Sequence, residues 1–300
     1  MKDKDKKMAS GVRDERLEFA YAIMTEKALD EILNAFETEN IPVSPLKGAF
    51  LRHLLYEDPT GRLMTDLDIL VRKRDYQRAK SALEKLGMLE DRSSDIINHP
   101  RAYSHCHYYR NGFPLVELHQ AVAPLAYETA FEELIFSGRA GIYPADIFPQ
   151  KCVHLPPPEV QLLILALHFR EHYLSVEKHQ IEDVGRLCRR FNIDKSKLAE
   201  IAARFKCEFA LWLLLESSGS EKALETAEAL KPPFIRKLVH MQLFDAVDGG
   251  FSLKHSKDAP RMLTLMARGF IHGVYSRDSL MESAAAHMKM LLFMLKNRIG

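Results

Sequence analysis

The sequence predicts an α+β chain: a small mixed sheet flanked by helices, then an all-helical C-terminal domain. Three observations carry this. Strand-like segments, LMTDLDILV and a pair around Asn111-Gly112, occur only in the first 150 residues. They are interleaved with stretches in which apolar residues recur at helical intervals. Past Pro156-Pro157-Pro158 almost every segment has helical spacing, and no convincing strand appears. The expected division is a flexible tail at 1–12, a mixed unit with N-terminal helices at 13–155, and a helical domain at 156–300.

The first dozen residues alternate Lys and Asp without apolar periodicity and read as a frayed tail. From Leu17 to Glu39, Ala20, Ile23, Met24, Ala28, Ile32, Leu33 and Phe36 recur at helical intervals, which describes one helix or two ending near Asn40 and Pro42. IPVSPLK is a short extended segment, and GAFLRHLLY is helical again. LMTDLDILV follows as a strand, and RDYQRAKSALEKLG as an amphipathic helix closed by Gly87. YSHCHYYR and FPLVELHQ then flank Asn111-Gly112, a pair suited to the positive φ angles of a tight two-residue hairpin turn. In the helical part, SLME at Ser279–Glu282 has the form of a capping box opening the last helix. Met288, Met290 and Met294 read as core filling.

Composition narrows the class. A chain of 300 residues with 47% hydrophobic content can bury a substantial core without staples. Its 42 basic and 41 acidic side chains nearly cancel, so no global field recruits nucleic acid or an anionic membrane, and any polyanion has to be held locally. Cys106, Cys152, Cys188 and Cys207 form no C-x-x-C and no dense framework, which points to a reducing cytoplasm. The charged start lacks the apolar stretch of a secretory signal, and the longest apolar runs, near VQLLILAL and MLLFML, are too short to span a bilayer.

One strand carries an anomaly. Side chains alternate along a strand, so Asp66 and Asp68 share one face while Leu67, Ile69 and Val71 keep the other for the core. Two carboxylates about 7 Å apart on one face repel, and are tolerated either in open water or around a divalent cation. By itself the pair suits an edge strand with a solvated acidic face. Glu117 shifts the balance, because it stands between Val116 and Leu118 on the second strand of the hairpin. If that hairpin pairs with LMTDLDILV, the three acids converge as hard oxygen ligands suited to Mg²⁺, two ions in all. Upstream, Lys47 and Gly48 fall where an extended segment becomes a helix, a place for an anion with Lys47 as a point charge. Arg62, four residues before Asp66, is placed to reach another phosphate oxygen.

These residues resemble the nucleotidyltransferase superfamily that includes DNA polymerase β, in which a small-residue turn opening a helix precedes a strand with Asp-x-Asp and a later strand carries the third acid. More narrowly, LKGAFLRHLLYEDPTGRLMTDLDILV, RAKSALEKLG and VELH are similar to an uncharacterised bacterial and archaeal nucleotidyltransferase family. The resemblance covers residues 40 to 120 well, and extends more loosely through LLILALHFREH and IEDVGRLCRRFNID. Two departures from the superfamily pattern stand out. Ala49 follows Gly48 where a Gly or Ser is usual, and the gap from Gly48 to Asp66 is long. The resemblance implies a polymerase β-like domain at 13–155 that transfers a nucleoside monophosphate from an NTP, ATP foremost, to a hydroxyl of a small molecule or a protein. It implies Asp66, Asp68 and Glu117 as catalytic metal ligands, Lys47, Gly48 and Arg62 as orienting the triphosphate, and the helical domain as choosing the acceptor.

Other signals in the sequence compete with this. HFREH, His168 to His172, matches the inverted zinc-peptidase motif, but its helix is apolar on nearly every side and no third ligand is assignable. A non-catalytic antitoxin-like or regulatory module with the same fold is the alternative from another class. His105 and His107 share one strand face while Cys106 points away, a pattern expected of structural polar residues on a hairpin. His119 shares the Glu117 face and borders the expected site. Arg72, Lys73 and Arg74 read as the solvated start of a helix rather than a nucleic-acid patch.

Overall fold

The computed structural model describes residues 15–91, 105–122, 128–137, 142–144, 146–171, 178–230, 244–247 and 250–253. The N-terminal tail, SLME, Met288, Met290, Met294 and His172 lie outside the described residues.

The first apolar stripe forms a single helix, α1 (Glu15–Thr38). It stops at Asn40, whose left-handed φ of 51° lets Asn40 N–H bond Glu37 O and Ile41 N–H bond Phe36 O. This is a Schellman ending, with Ile41 and Phe36 both fully buried beneath it. Strand β1 (Val43–Pro45) leads directly into α2 (Lys47–Leu55), and a 3-10 turn at Pro59–Arg62 leads to β2 (Asp66–Val71). Helix α3 (Tyr76–Lys85) closes at Gly87, where φ is 75° and the same pair of capping bonds recurs. It is followed by β3 (Leu89–Glu90), β4 (His105–Tyr109) and β5 (Leu115–His119).

The five strands form one sheet in the order β1-β2-β5-β4-β3. All neighbours are antiparallel except β2 and β5, which run parallel and join the Asp-x-Asp strand to the hairpin. Backbone bonds between Val43 and residues 152 and 154 continue the sheet past β1. The hairpin connection is longer than the expected two-residue turn. Pro114 has no N–H for the ladder, so pairing ends at Tyr108 and Val116, and only Gly112 takes a positive φ, 74°. Phe113 N–H bonds Arg110 O, and the Arg110 guanidinium lies 3.4 Å from the Phe113 ring centroid.

Helix α4 (Glu128–Phe136) precedes the helical part: α5 (Pro158–Glu171), α6 (Lys178–Arg190), α7 (Lys195–Arg204), α8 (Glu208–Ser217) and α9 (Glu221–Ala227). One feature there corrects the expectation of helices alone. A small antiparallel hairpin, β6 (Phe244–Val247) with β7 (Gly250–Leu253), comes after α9 in the chain. Its FDAV–GFSL alternation is short and split by Gly249-Gly250, so helical spacing on either side masks it. The buried apolar cluster extends without a break from Ala28 to Leu230, so the helices share one core with the sheet. Among the described residues, no helix is long and apolar enough to cross a membrane.

Candidate active site

Strand alternation does to β2 what its sequence demands. Leu67, Ile69 and Val71 are fully buried in the core, and Asp66, Asp68 and Leu70 take the opposite face. Because β5 runs parallel beside it, Glu117 lies next to Asp68 and His119 next to Leu70. One strand farther, β4 places His107 beside Glu117 and His105 beside His119. The face thus reads across three strands as Asp68, Glu117, His107, and one step along as Leu70, His119, His105.

Side-chain atoms of Asp68, Glu117 and His119 fall within 4.8 Å of one another, a group that does not include Asp66. His119 Nε2 is 3.0 Å from Asp68 Oδ1 and 3.4 Å from Glu117 Oε2. Lys47 Nζ is 2.7 Å from the same Asp68 oxygen. Lys47 gets there by a left-handed φ of 46°, which turns the chain from β1 into α2, while Leu46 N–H bonds the Asp68 carbonyl at 3.0 Å. The start of α2 is therefore tied to the acidic strand. Gly48 is required by packing: a Cβ there would lie 2.9 Å from Met64 Cγ and Sδ and 3.3 Å from Arg62 Nη2. Gly48→Ala is expected to cost ~1–3 kcal/mol by overpacking, read as a lower urea midpoint with an unchanged slope.

The electrostatics of the face are uneven. Burial pushes the Asp66 carboxyl up to about 6, and the negative charges of Asp68 and Glu117 add to the effect. Burial also opposes ionisation of Asp68, but Lys47 and His119 outweigh it and hold that carboxyl well below the usual aspartate range. Burial also opposes ionisation of the half-buried Glu117, yet His119 holds it below its ordinary value. His119 in turn is raised, because its bonds to Asp68 and Glu117 overcome the burial that favours neutral imidazole. Burial, with the neighbouring His119, lowers His105 to about 4.

Asp66 therefore binds its proton more tightly in the folded chain than in the unfolded one. Its favourable contribution is fully present below the unfolded value of 3.8 and is lost as pH rises through about 6. In chelator-treated protein, Asp66→Asn is expected to raise unfolding free energy by ~1–3 kcal/mol at pH 8 and by almost nothing at pH 4. Denaturant melts at the two pH values check this. Such crowding of carboxylates is what a divalent cation relieves, and the all-oxygen donor set of Asp66, Asp68 and Glu117 fits a hard ion such as Mg²⁺.

Arg62 is placed differently from the acids. The 3-10 turn, capped by Asp58 through Thr60 N–H at 2.7 Å, brings it to the base of α2. There Arg62 Nε donates to Asp183 Oδ2 at 3.0 Å and Nη1 donates to Leu63 O at 2.7 Å. Tyr56 Oη donates to Asp183 Oδ1 at 2.7 Å, and the Arg186 guanidinium sits 4.2 Å from the Tyr56 ring centroid. Burial pushes the Asp183 carboxyl up in spite of Arg62. Asp183 and the position of His119 against Asp68 are what reading the sequence left undecided. The signal for Asp183 was its place on the stripe of Val184, Leu187 and Cys188, an acid where a helix buries apolar residues.

The other sequence candidates fall outside this face. His168 of HFREH meets Gln180 on α6, with Nε2 atoms 3.0 Å apart. Arg72 and Lys73 pair with Glu132 and Glu128 of α4, and Arg74 with Asp75, so the basic start of α3 is neutralised. The four cysteines are free thiols, and Cys106 accepts from Tyr76 Oη on the far side of the sheet from the histidines.

The sequence model of a family described as "Uncharacterised nucleotidyltransferase" matches residues 13–218. Curated proteins provide no match. Among solved structures, the solution structure of the antibiotic-resistance factor ANT(2'')-Ia aligns at 17% identity with a TM-score of 0.41, covering 61% of this chain and 92% of that one.

Proposed function

The chain belongs to the uncharacterised nucleotidyltransferase family, and from that premise we propose that it moves a nucleoside monophosphate from an NTP, ATP first among them, to a hydroxyl of a small molecule or a protein. The observation that carries the reading is the acidic row, in which Asp68 and Glu117 are paired across parallel strands with Asp66 on the same face and the start of α2 tied to that strand.

Asp66, Asp68 and Glu117 would hold two Mg²⁺ ions, which supply charge neutralisation for the triphosphate and acidity for the acceptor hydroxyl. The chain's own groups do the rest. Lys47 pairs with Asp68 and would offer its ammonium to a phosphate oxygen of the nucleotide. Arg62 is held from behind by Asp183, leaving Nη2 beside the first turn of α2, and the opening N–H groups of a helix, which lack partners within it, suit an anion. Glu117 is positioned to take part in removing the acceptor proton, with His119 bonded to it. The helical residues from 156 onward form a second functional part that selects the acceptor, and the reducing cytoplasm is the proposed compartment.

Purified protein incubated with α-labelled ATP, Mg²⁺ and a panel of hydroxyl acceptors is expected to release pyrophosphate and label an acceptor. Label from γ-labelled ATP appearing on the acceptor instead would replace this reading with phosphoryl transfer. Absence of turnover together with absence of NTP binding would remove it.

A further inference from the structure

Two side chains of the face have no part in that reading, and they belong together. His105 and His107 both project from β4 onto the side that carries Glu117, and one ligand atom from each of the three lies within 4.8 Å of the others. The two imidazole rings are 5.1 Å apart between centroids and inclined by 37°, so they are neither stacked nor turned away. His107 Nε2 is buried and makes no hydrogen bond, although Glu117 Oε1 is 3.3 Å away. Three ligand atoms this close to one another can converge on a single ion.

We propose that His105, His107 and Glu117 form a site for a first-row transition dication of the zinc class, separate in its chemistry from the oxygen-only Mg²⁺ site. Two imidazoles discriminate against Mg²⁺, which demands oxygen and octahedral hydration, and favour borderline ions. Two histidines and one carboxylate, with a further position for water, is also a donor set that zinc accepts. The three ligands come from adjacent strands of one sheet, so the backbone ladder pre-sets their spacing before any ion arrives. The site depends on the transferase reading only through Glu117, which serves both: ligation fixes the carboxylate at the end of the row that meets Asp68.

The test is Co²⁺ titration of the chelator-stripped full chain. The expected result is visible ligand-field absorption saturating at one ion per chain, abolished by Zn²⁺ and unaffected by Mg²⁺ in large excess. His105→Gln and His107→Gln are each expected to weaken binding at least ~10-fold, whereas Cys106→Ser, on the opposite face, leaves it unchanged. Affinity identical to wild type in both histidine variants, or bleaching by Mg²⁺, overturns the proposal. If neither variant folds by circular dichroism, X-ray absorption at the zinc edge of the loaded chain carrying only His168→Gln decides. Outer-shell scattering from two imidazoles supports the site, and an all-oxygen shell overturns it. Absence of both NTP turnover and NTP binding, with an intact Co²⁺ spectrum, would refute the transferase reading and leave this site standing.

Discussion

Asp68→Asn is expected to lower nucleotidyl transfer on the order of 10³-fold or more, about 4 kcal/mol of transition-state stabilisation, while the protein remains folded. Asp68 is the carboxylate on which Lys47 and His119 converge. Both reach its Oδ1, Glu117 is its neighbour on β5, and its carbonyl anchors Leu46 at the start of α2. Asparagine keeps the shape and the backbone bond but halves the acceptor capacity and removes the charge that makes the row a cation site. The effect belongs in kcat/KM rather than in KM alone, because the lost interaction grows as charge develops on the phosphates. An Asp68→Asn enzyme within tenfold of wild type in single-turnover label transfer would show that the acidic row is not where the chemistry occurs. The same variant also tests what Lys47 does: with its partner neutralised, the ammonium is free, and NTP binding without metal is expected to tighten rather than weaken.

The largest effect on stability is expected at a residue outside the acidic row. Asp183→Ala leaves Arg62, only 5% exposed, with a buried charge and Leu63 O as its remaining acceptor. Removing one partner of such a pair costs ~3–5 kcal/mol, far above the value of a surface ion pair, because the surviving charge remains desolvated. Tyr56 Oη loses its acceptor in the same step. The control is removal of both charges: Arg62→Met with Asp183→Leu is expected to recover most of the loss, since well-packed apolar side chains of similar volume replace a buried pair at little cost. Denaturant midpoints of the single and double variants measure the difference. A single variant within ~1 kcal/mol of wild type would mean that the pair is solvated in practice. The double variant separates stability from function, because it restores the fold while removing the Arg62 guanidinium from the base of α2.

Much of this molecule is legible in its sequence. The helix stops at Asn40 and Gly87 were readable because the left-handed closing residue is a local requirement. The sharing of β2 between a core face and an acidic face followed from the alternation of Asp66 and Asp68 with Leu67, Ile69 and Val71. Where local rules conflict, the sequence is ambiguous. Asn111-Gly112 suggested a two-residue turn, but Pro114 withdrew a donor and lengthened the connection. FDAV and FSL were too short to outweigh helical spacing on both sides.

What the sequence determined by itself is which residues share a face, since periodicity is a property of the backbone over a few residues and needs no partner. What only the tertiary structure decided is which faces meet. The order β1-β2-β5-β4-β3 puts Glu117 rather than His107 next to Asp68 and leaves the two β4 histidines one strand away. Folding also brings Asp183 from 121 residues away to hold Arg62. Such meetings are fixed by the joint burial of the whole core, and no window of the chain contains that information.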